Sequence, residues 1–79
     1  MAAYTESLID RLSEELEISR ESFVPEALLK DDLGFDSLDM VDVVVLVEEI
    51  VGVRLKQSDF IGVRTLGQML DLIESKRQE

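Results

Sequence analysis

The chain has 79 residues, which is room for one small domain and not for two. Eight lysine and arginine residues oppose eighteen aspartate and glutamate residues, which gives a formal net charge of −10. Such a charge repels the phosphates of nucleic acids and of anionic membranes, and it favours basic protein partners. Because 46% of the residues are hydrophobic and recur periodically, the composition indicates a folded domain and not an acidic disordered tail.

Several absences narrow the compartment and the class of protein. The chain has no cysteine and therefore no disulfide framework, so a reducing compartment suits it. The longest apolar run, Val43 to Val47, is far shorter than the ~20 residues of a membrane span. Residues 1–10 are acidic and lack the basic region of a signal or transit peptide. We predict a monomeric, cytoplasmic domain over residues 1–79 with no membrane segment.

The first predicted helix runs from about Thr5 to Leu16. Apolar residues recur there at helical spacing, and charged residues occupy the other side. Thr5 is the predicted cap, with Glu6 in the first turn near the positive end of the helix dipole. The apolar residues of this segment are Leu8, Ile9, Leu12 and Leu16.

A long irregular connection is predicted from Glu17 to Asp36. Pro25 fits the first position of a short turn, because its fixed φ suits the start of a helical turn. A connection of this length in a small domain needs packing or function to explain it. The residues predicted to cover the core here are Phe23, Leu28, Leu29 and Leu33.

The segment Ser37 to Val51 is rich in valine, which by propensity favours a buried strand. A helix is preferred, because Asp36 is a good N-cap, Asp39 suits the first turn and Gly52 suits the C-terminal end. The apolar residues also follow the i, i+3, i+4, i+7 pattern. We predict that Val43, Leu46, Val47 and Ile50 pack against Leu8, Leu12, Leu70 and Ile73.

The remainder of the chain completes an all-α fold. Residues 53–62 hold at most one short helix, around Ser58 to Ile61. The last helix opens with a capping-box match from Thr65 to Gln68 and closes on Lys76 and Arg77. The prediction is a small bundle of three main helices and one short helix, with a long first loop.

The residue inventory argues against an enzyme. A Ser-His-Asp triad needs a histidine, and the chain has none. The nucleophile pattern G-x-S-x-G fails because Ser37 comes one residue too late after Gly34. Calcium-loop, phosphate-loop and dinucleotide patterns are also absent. We therefore predict no catalytic residue and no metal ligand, and an exposed Ser37 without a base is better suited to be modified than to attack.

The stretch DDLGFDSLDMVD, residues 31–42, resembles the phosphopantetheine attachment motif of acyl carrier proteins, in which LG-x-DSL places the modified serine at the head of the second helix. Chain length, acidity, the long first loop and the helix order are also similar to that family. The resemblance implies that Ser37, between Asp36 and Leu38, carries a 4′-phosphopantetheine arm. A separate transferase would add the arm from coenzyme A with magnesium, and the arm's thiol would hold acyl groups as thioesters.

The second helix resembles the element by which that family docks to basic patches on partner enzymes. The implied partners are the phosphopantetheinyl transferase, acyltransferases, ketosynthases and other biosynthetic enzymes. A plain solvated face is the alternative meaning of these charges. The acids are Asp36, Asp39, Asp42, Glu48 and Glu49, and the apolar residues beside them are Leu38, Val41 and Val45.

Two further readings stay open at this point. An unmodified acidic helical adaptor could bind basic partners through the same helix. A peptidyl carrier is a close relative, but that class usually shows LGG before the serine, whereas Phe35 and Asp36 follow Gly34 here. The start at Met1 and the close at Glu79 are typical of a discrete carrier.

The pathway prediction rests on two departures from the family pattern. Phe35 replaces a small residue common in housekeeping fatty-acid carriers, and Arg54, Lys56 and Arg64 make the third-helix region less acidic. Both features favour a specialised polyketide-like or modified fatty-acid route over housekeeping fatty-acid synthesis.

Overall fold

The computed structural model describes residues 3–78. Within them no strand occurs, and the predicted all-α fold is confirmed. No helix in this part of the chain is long and apolar enough to cross a membrane. The elements are α1 at Tyr4–Leu16, α2 at Ser37–Val51 and α3 at Leu66–Arg77, with short 3₁₀ turns at Arg20–Ser22 and Gln57–Phe60.

α1 begins one residue earlier than predicted, and the prediction that Thr5 caps it is wrong. Ala3 occupies the N-cap position without a side-chain capping bond, while Thr5 is buried as the second residue of the helix. Tyr4 lies against α3, where its hydroxyl donates a hydrogen bond of 2.5 Å to Glu74. Burial and then the Glu74 carboxylate raise the pKa of Tyr4 to about 12, so the hydroxyl stays a donor at neutral pH.

α2 confirms the helix predicted over Ser37–Val51, despite its valines. Its inner face is buried in the core shared with α1 and α3, and this packing outweighs the weak helix propensity of valine. Gly52 ends the helix as predicted, with a φ of 81° that a residue with a side chain rarely adopts. The buried residues of α2 are Val43, Leu46 and Val47.

One hydrophobic core joins the three helices and the first loop. The predicted packing of α2 against α1 and α3 is largely confirmed, because the inner residues of all three helices belong to this core. Ile50 and Leu70 are exceptions, since they are only partly buried at its edge. The largest fully buried side chains are Leu8, Leu12, Leu66, Met69, Ile73, Val43 and Val47.

The first loop is tied to α1 by a 3₁₀ turn that the sequence did not predict. Arg20, in that turn, donates to Glu6 at 2.6 Å and to Asp10 at 3.0 Å. These two carboxylates, Asp10 first, raise the pKa of the Arg20 guanidinium. Further along, a short turn is present where predicted: the Ala27 N–H donates to the Val24 carbonyl at 2.9 Å, and Pro25 is the second residue of this turn.

The loop then pairs with the segment that leads into α3. Leu28 and Thr65 form an isolated antiparallel bridge, and the Leu29 N–H donates to the Arg64 carbonyl at 2.8 Å. Successive side chains of an extended segment point to opposite sides. Leu29 is therefore buried while Leu28 is 37% exposed, and the prediction that Leu28 covers the core is wrong.

Two capping arrangements position the end of the chain. The predicted box at α3 is confirmed: the Gln68 N–H donates to Thr65 Oγ1, and the Thr65 N–H donates to Gln68 Oε1, both at 3.1 Å. The short helix predicted at Ser58 to Ile61 is a 3₁₀ turn one residue earlier, because Asp59 accepts the Lys56 N–H at 2.9 Å. That hydrogen bond is the main cause lowering the pKa of Asp59.

Leu46→Ala should lower the free energy of unfolding by ~2–5 kcal/mol, because it opens a cavity where the side chain is 5% exposed. Leu38→Ala is the matched control, since Leu38 lies in the same helix and is 76% exposed. The control should change the free energy by less than about 0.5 kcal/mol. Urea unfolding followed by circular dichroism measures both, and equal losses would contradict the packing of α2.

Candidate functional site

Ser37 is the first residue of α2, and its side chain is exposed. The chain reaches it through Gly34, whose φ of 73° is left-handed backbone that favours glycine. On either side of this glycine, Leu33 and Phe35 are each 4% exposed and anchor the loop in the core. The Phe35 N–H also donates to the Leu29 carbonyl at 2.9 Å. These contacts hold the backbone before Ser37 in place.

Asp36 caps α2, as predicted, and does so reciprocally with Asp39. The Asp39 N–H donates to Asp36 Oδ1 at 2.9 Å, and the Asp36 N–H donates to Asp39 Oδ2 at 3.2 Å. Each carboxylate thus satisfies a backbone donor that has no partner within the helix. The two acids that flank Ser37 therefore stabilise the helix start on which the serine lies.

The side chains that most often activate a serine hydroxyl are absent from this sequence. The sequence has neither histidine nor cysteine, so a base of the usual kind is missing. Within residues 3–78 no group of three or more carboxylates is arranged to hold a metal ion. Ser37 is exposed and has no histidine or cysteine beside it.

A cleft of about 680 Å³ opens beside Ser37. The first loop, the start of α2 and the segment from the end of the second 3₁₀ turn to α3 form its walls. Most of its lining is apolar, and four charged residues complete it. The apolar lining is Leu28, Leu29, Phe35, Met40, Phe60 and Val63, and the charged residues are Lys30, Asp31, Asp36 and Arg64.

Sequence reasoning missed this cleft. Its residues come from separate segments that no periodicity connects, and only the folded chain brings them together. Phe35, which departs from the family pattern before Asp36, is buried and forms a wall of the cleft. Arg64 lies in the same cleft as Ser37, because its backbone pairs with Leu29 of the first loop.

The predicted partner-binding residues of α2 lie on its outer face or at the edges of that face. Helical spacing places the apolar residues, Asp42 and Glu49 on a common outer face, with Asp39 and Glu48 at opposite edges. This face combines exposed apolar side chains with carboxylates. Leu38 is 76% exposed, Val41 50% and Val45 48%.

The acids of this face differ in what else they contact. Glu48 Oε1 lies 3.2 Å from Arg54, and Glu49 Oε2 lies 4.0 Å from Arg11. Asp36 and Asp39 form the capping box described above. Asp42 is exposed, and within residues 3–78 it makes no ion pair or side-chain hydrogen bond. Asp42 is therefore the predicted docking acid with no structural role of its own.

Comparison with known proteins finds similarity over the part of the chain that contains Ser37. A family model described as "Phosphopantetheine attachment site" matches residues 6–73. The chain is 44% identical over 61 residues to an acyl carrier protein of Saccharopolyspora erythraea, an alignment that covers 77% of this chain and 64% of that relative.

Other relatives align over most of their length. The chain is 32% identical over 77 residues to an acyl carrier protein of Syntrophobacter fumaroxidans, covering 98% of this chain and 95% of the relative. It is 36% identical over 83 residues to a meromycolate extension acyl carrier protein of Mycolicibacterium smegmatis, covering 100% of this chain and 84% of the relative.

The fold is a small all-α domain with an exposed serine at the start of its second helix. The chain belongs to the acyl carrier protein family, whose members bear a phosphopantetheine attachment site. It is a carrier and not an enzyme, and its prosthetic group is 4′-phosphopantetheine. Family membership also implies interaction with a phosphopantetheinyl transferase and with biosynthetic enzymes.

Asp36→Ala should lower the free energy of unfolding by ~0.5–2 kcal/mol, because the Asp39 N–H loses its acceptor. Asp36→Asn should stay close to the wild type, since an Asn side chain also caps well. Asp42→Ala, in the same helix, is the matched control and should change stability by less than about 0.5 kcal/mol. Thermal and urea unfolding measure all three, and an unchanged Asp36→Ala would contradict the capping role.

Proposed function

We propose that Ser37 bears the 4′-phosphopantetheine arm and that residues 1–79 form one carrier domain. The chain presents acyl intermediates to enzymes of fatty-acid or polyketide biosynthesis. The observation that carries this proposal is the exposed Ser37 hydroxyl at the first residue of α2, beside the cleft of about 680 Å³. Within residues 3–78 no other serine lines that cleft.

The residues around Ser37 fit such an arm. The cleft volume of about 680 Å³ lies in the range of small-molecule sites, roughly 300–1,000 Å³. Its walls include Met40, Phe60 and Val63, which suit the apolar parts of a pantetheine chain. When bound, the arm supplies a thiol that holds acyl groups as thioesters. The lack of a histidine or cysteine nearby protects such a bond from attack by this chain.

Attachment requires that the transferase provide the catalytic groups. Ser37 Oγ gives up its proton to a base of the transferase and bonds to the phosphorus of coenzyme A that bears the pantetheine. The bond from that phosphorus to the rest of the diphosphate breaks, and adenosine 3′,5′-bisphosphate leaves. The helix start orients this oxygen outward, because the capping box and the buried Phe35 fix the backbone before it. Exposure of the serine suits the approach of a second protein.

The outer face of α2 is the proposed docking surface for the transferase and for acyltransferases and ketosynthases. Exposed Leu38, Val41 and Val45 provide an apolar centre, and the neighbouring acids provide a charge that basic patches attract. The net charge of −10 acts in the same direction at longer range. Because coenzyme A is the donor of the arm, we propose the cytoplasm as the compartment.

A specialised polyketide-like or modified fatty-acid route stays our prediction for the pathway. Support comes from Phe35 and Arg64, the two departures from the family pattern that line the cleft beside Ser37. Three relatives of this chain are by name meromycolate extension acyl carrier proteins.

Wild-type protein treated with coenzyme A and a broad-specificity transferase should gain the mass of one phosphopantetheine. Ser37→Ala should gain none, while its stability falls by less than about 1 kcal/mol because Asp36 remains the cap. Ser58→Ala, which changes an exposed serine elsewhere, is the control and should be modified like the wild type. Intact-mass spectrometry reads all three. An unmodified wild type would favour the alternative of an acidic helical adaptor.

Asp42→Lys should slow modification by the transferase about three- to tenfold at low salt, mainly through association. Added salt should slow the wild type and narrow the gap between the two proteins. Asp71→Lys is the matched control, because it makes the same charge change at an exposed position of α3. Initial rates at several salt concentrations test this, and equal rates for both variants would mean that the α2 acids are only a solvated face.

A further inference from the structure

We infer that Lys30 and Arg64 form a cationic pair at the cleft that holds the phosphodiester of the attached arm and directs the arm into the cleft. This inference rests on the proposed attachment at Ser37. It assigns a role to two residues of this chain that the attachment motif does not contain, since they lie outside residues 31–42.

Backbone pairing brings the two cations to one cleft. The Leu29 N–H donates to the Arg64 carbonyl at 2.8 Å, so Lys30 follows directly after a residue bonded to Arg64. The Arg64 N–H in turn donates to Gln68 Oε1 at 2.7 Å, which fixes the backbone on that side. Lys30, Arg64 and Ser37 all line the same cleft.

The charge distribution separates these cations from the others. Five of the eight lysine and arginine residues make ion pairs with carboxylates of this chain. Within residues 3–78, Lys30, Lys56 and Arg64 make none. Two of these three line the cleft beside Ser37, in a chain whose net charge is −10. Lys30 and Arg64 can therefore bind an anion that is added to the chain.

The phosphodiester on Ser37 is the anion that this position will meet. It is bonded to the Ser37 oxygen, and it adds a negative charge to a cleft already lined by Asp31 and Asp36. Without the cations, repulsion from these carboxylates would push the arm out into solvent. An arginine binds phosphate oxygens in a planar fork, and a lysine adds a point charge. The apolar walls at Met40 and Val63 then accept the arm.

The test compares holo proteins with a free thiol, in which the phosphodiester is the only added anion. We would prepare wild type, the double variant Lys30→Gln/Arg64→Gln and the control Arg54→Gln/Lys56→Gln. The control also removes two positive charges, but at residues that do not line the cleft. The readouts are the ³¹P chemical shift and nuclear Overhauser effects between the arm's methyl groups and the Met40 and Val63 methyl groups.

Wild type and control should share one ³¹P shift and clear Overhauser effects. The cleft variant should shift its ³¹P signal and lose at least half of the Overhauser intensity, and high salt should move the wild type towards it. Both variants change exposed side chains and should keep the wild-type amide spectrum.

An arm proven by mass, with Overhauser effects equal in wild type and cleft variant, overturns the inference and leaves the proposed attachment intact. A wild type that gains no mass overturns both. If the cleft variant differs only when a malonyl group is carried, the cations serve the carboxylate of the cargo, and the phosphodiester inference is wrong.

Discussion

Backbone hydrogen bonds between the first loop and the segment leading into α3 determine where the site lies. The bonds from Leu29 to Arg64 and from Leu66 to Ala27 join two segments that are far apart in sequence. Gly67 belongs to the same contact, because a Cβ there would lie 3.1 Å from the Pro25 carbonyl oxygen. This pairing holds the first loop against the core. The loop leads into α2, so Ser37 at the start of that helix lies at one edge of the cleft.

The second helix combines residues that stabilise the fold with residues of the proposed docking face. Its valines are poor helix formers, and its inner face holds the helix through burial in the core. Its outer face leaves Leu38 the most exposed of the apolar side chains on α2. The acids Asp36 and Asp39 belong to both functions, since they cap the helix and lie at the proposed docking face. Charge reversal at either would change stability and binding together, whereas Asp42 separates the two effects.

Sequence reasoning succeeded where the deciding interaction is local. The Asp36 cap, the Thr65 box and the end of α2 at Gly52 each depend on residues within one turn of the helix. It failed where a distant segment decides. Thr5 is buried against the core and does not cap α1, and Leu28 points outward because its backbone pairs with the segment before α3.

In the candidate site, too, the features set by local sequence were predictable and those set by distant segments were not. The position of Ser37 at the start of α2 was predictable because the motif around it is contiguous, and the arrangement of the acids along α2 was predictable because helical spacing fixes it. The cleft was not predictable, because its walls come from segments that meet only in the folded chain. The cations at positions 30 and 64 show the same limit, since their meeting depends on the hydrogen bond from Leu29 to Arg64.

Phe35 links the shape of the cleft to the stability of the fold. Its ring is 4% exposed in the core and also forms a wall of the cleft beside Ser37. A smaller residue there would widen the cleft at the cost of a cavity in a domain whose core is small. Met40, Phe60 and Val63 also line the cleft but are only partly buried. Substitutions at these three positions can therefore change the cleft with less loss of stability than a change at Phe35, which requires repacking of the loop before Ser37.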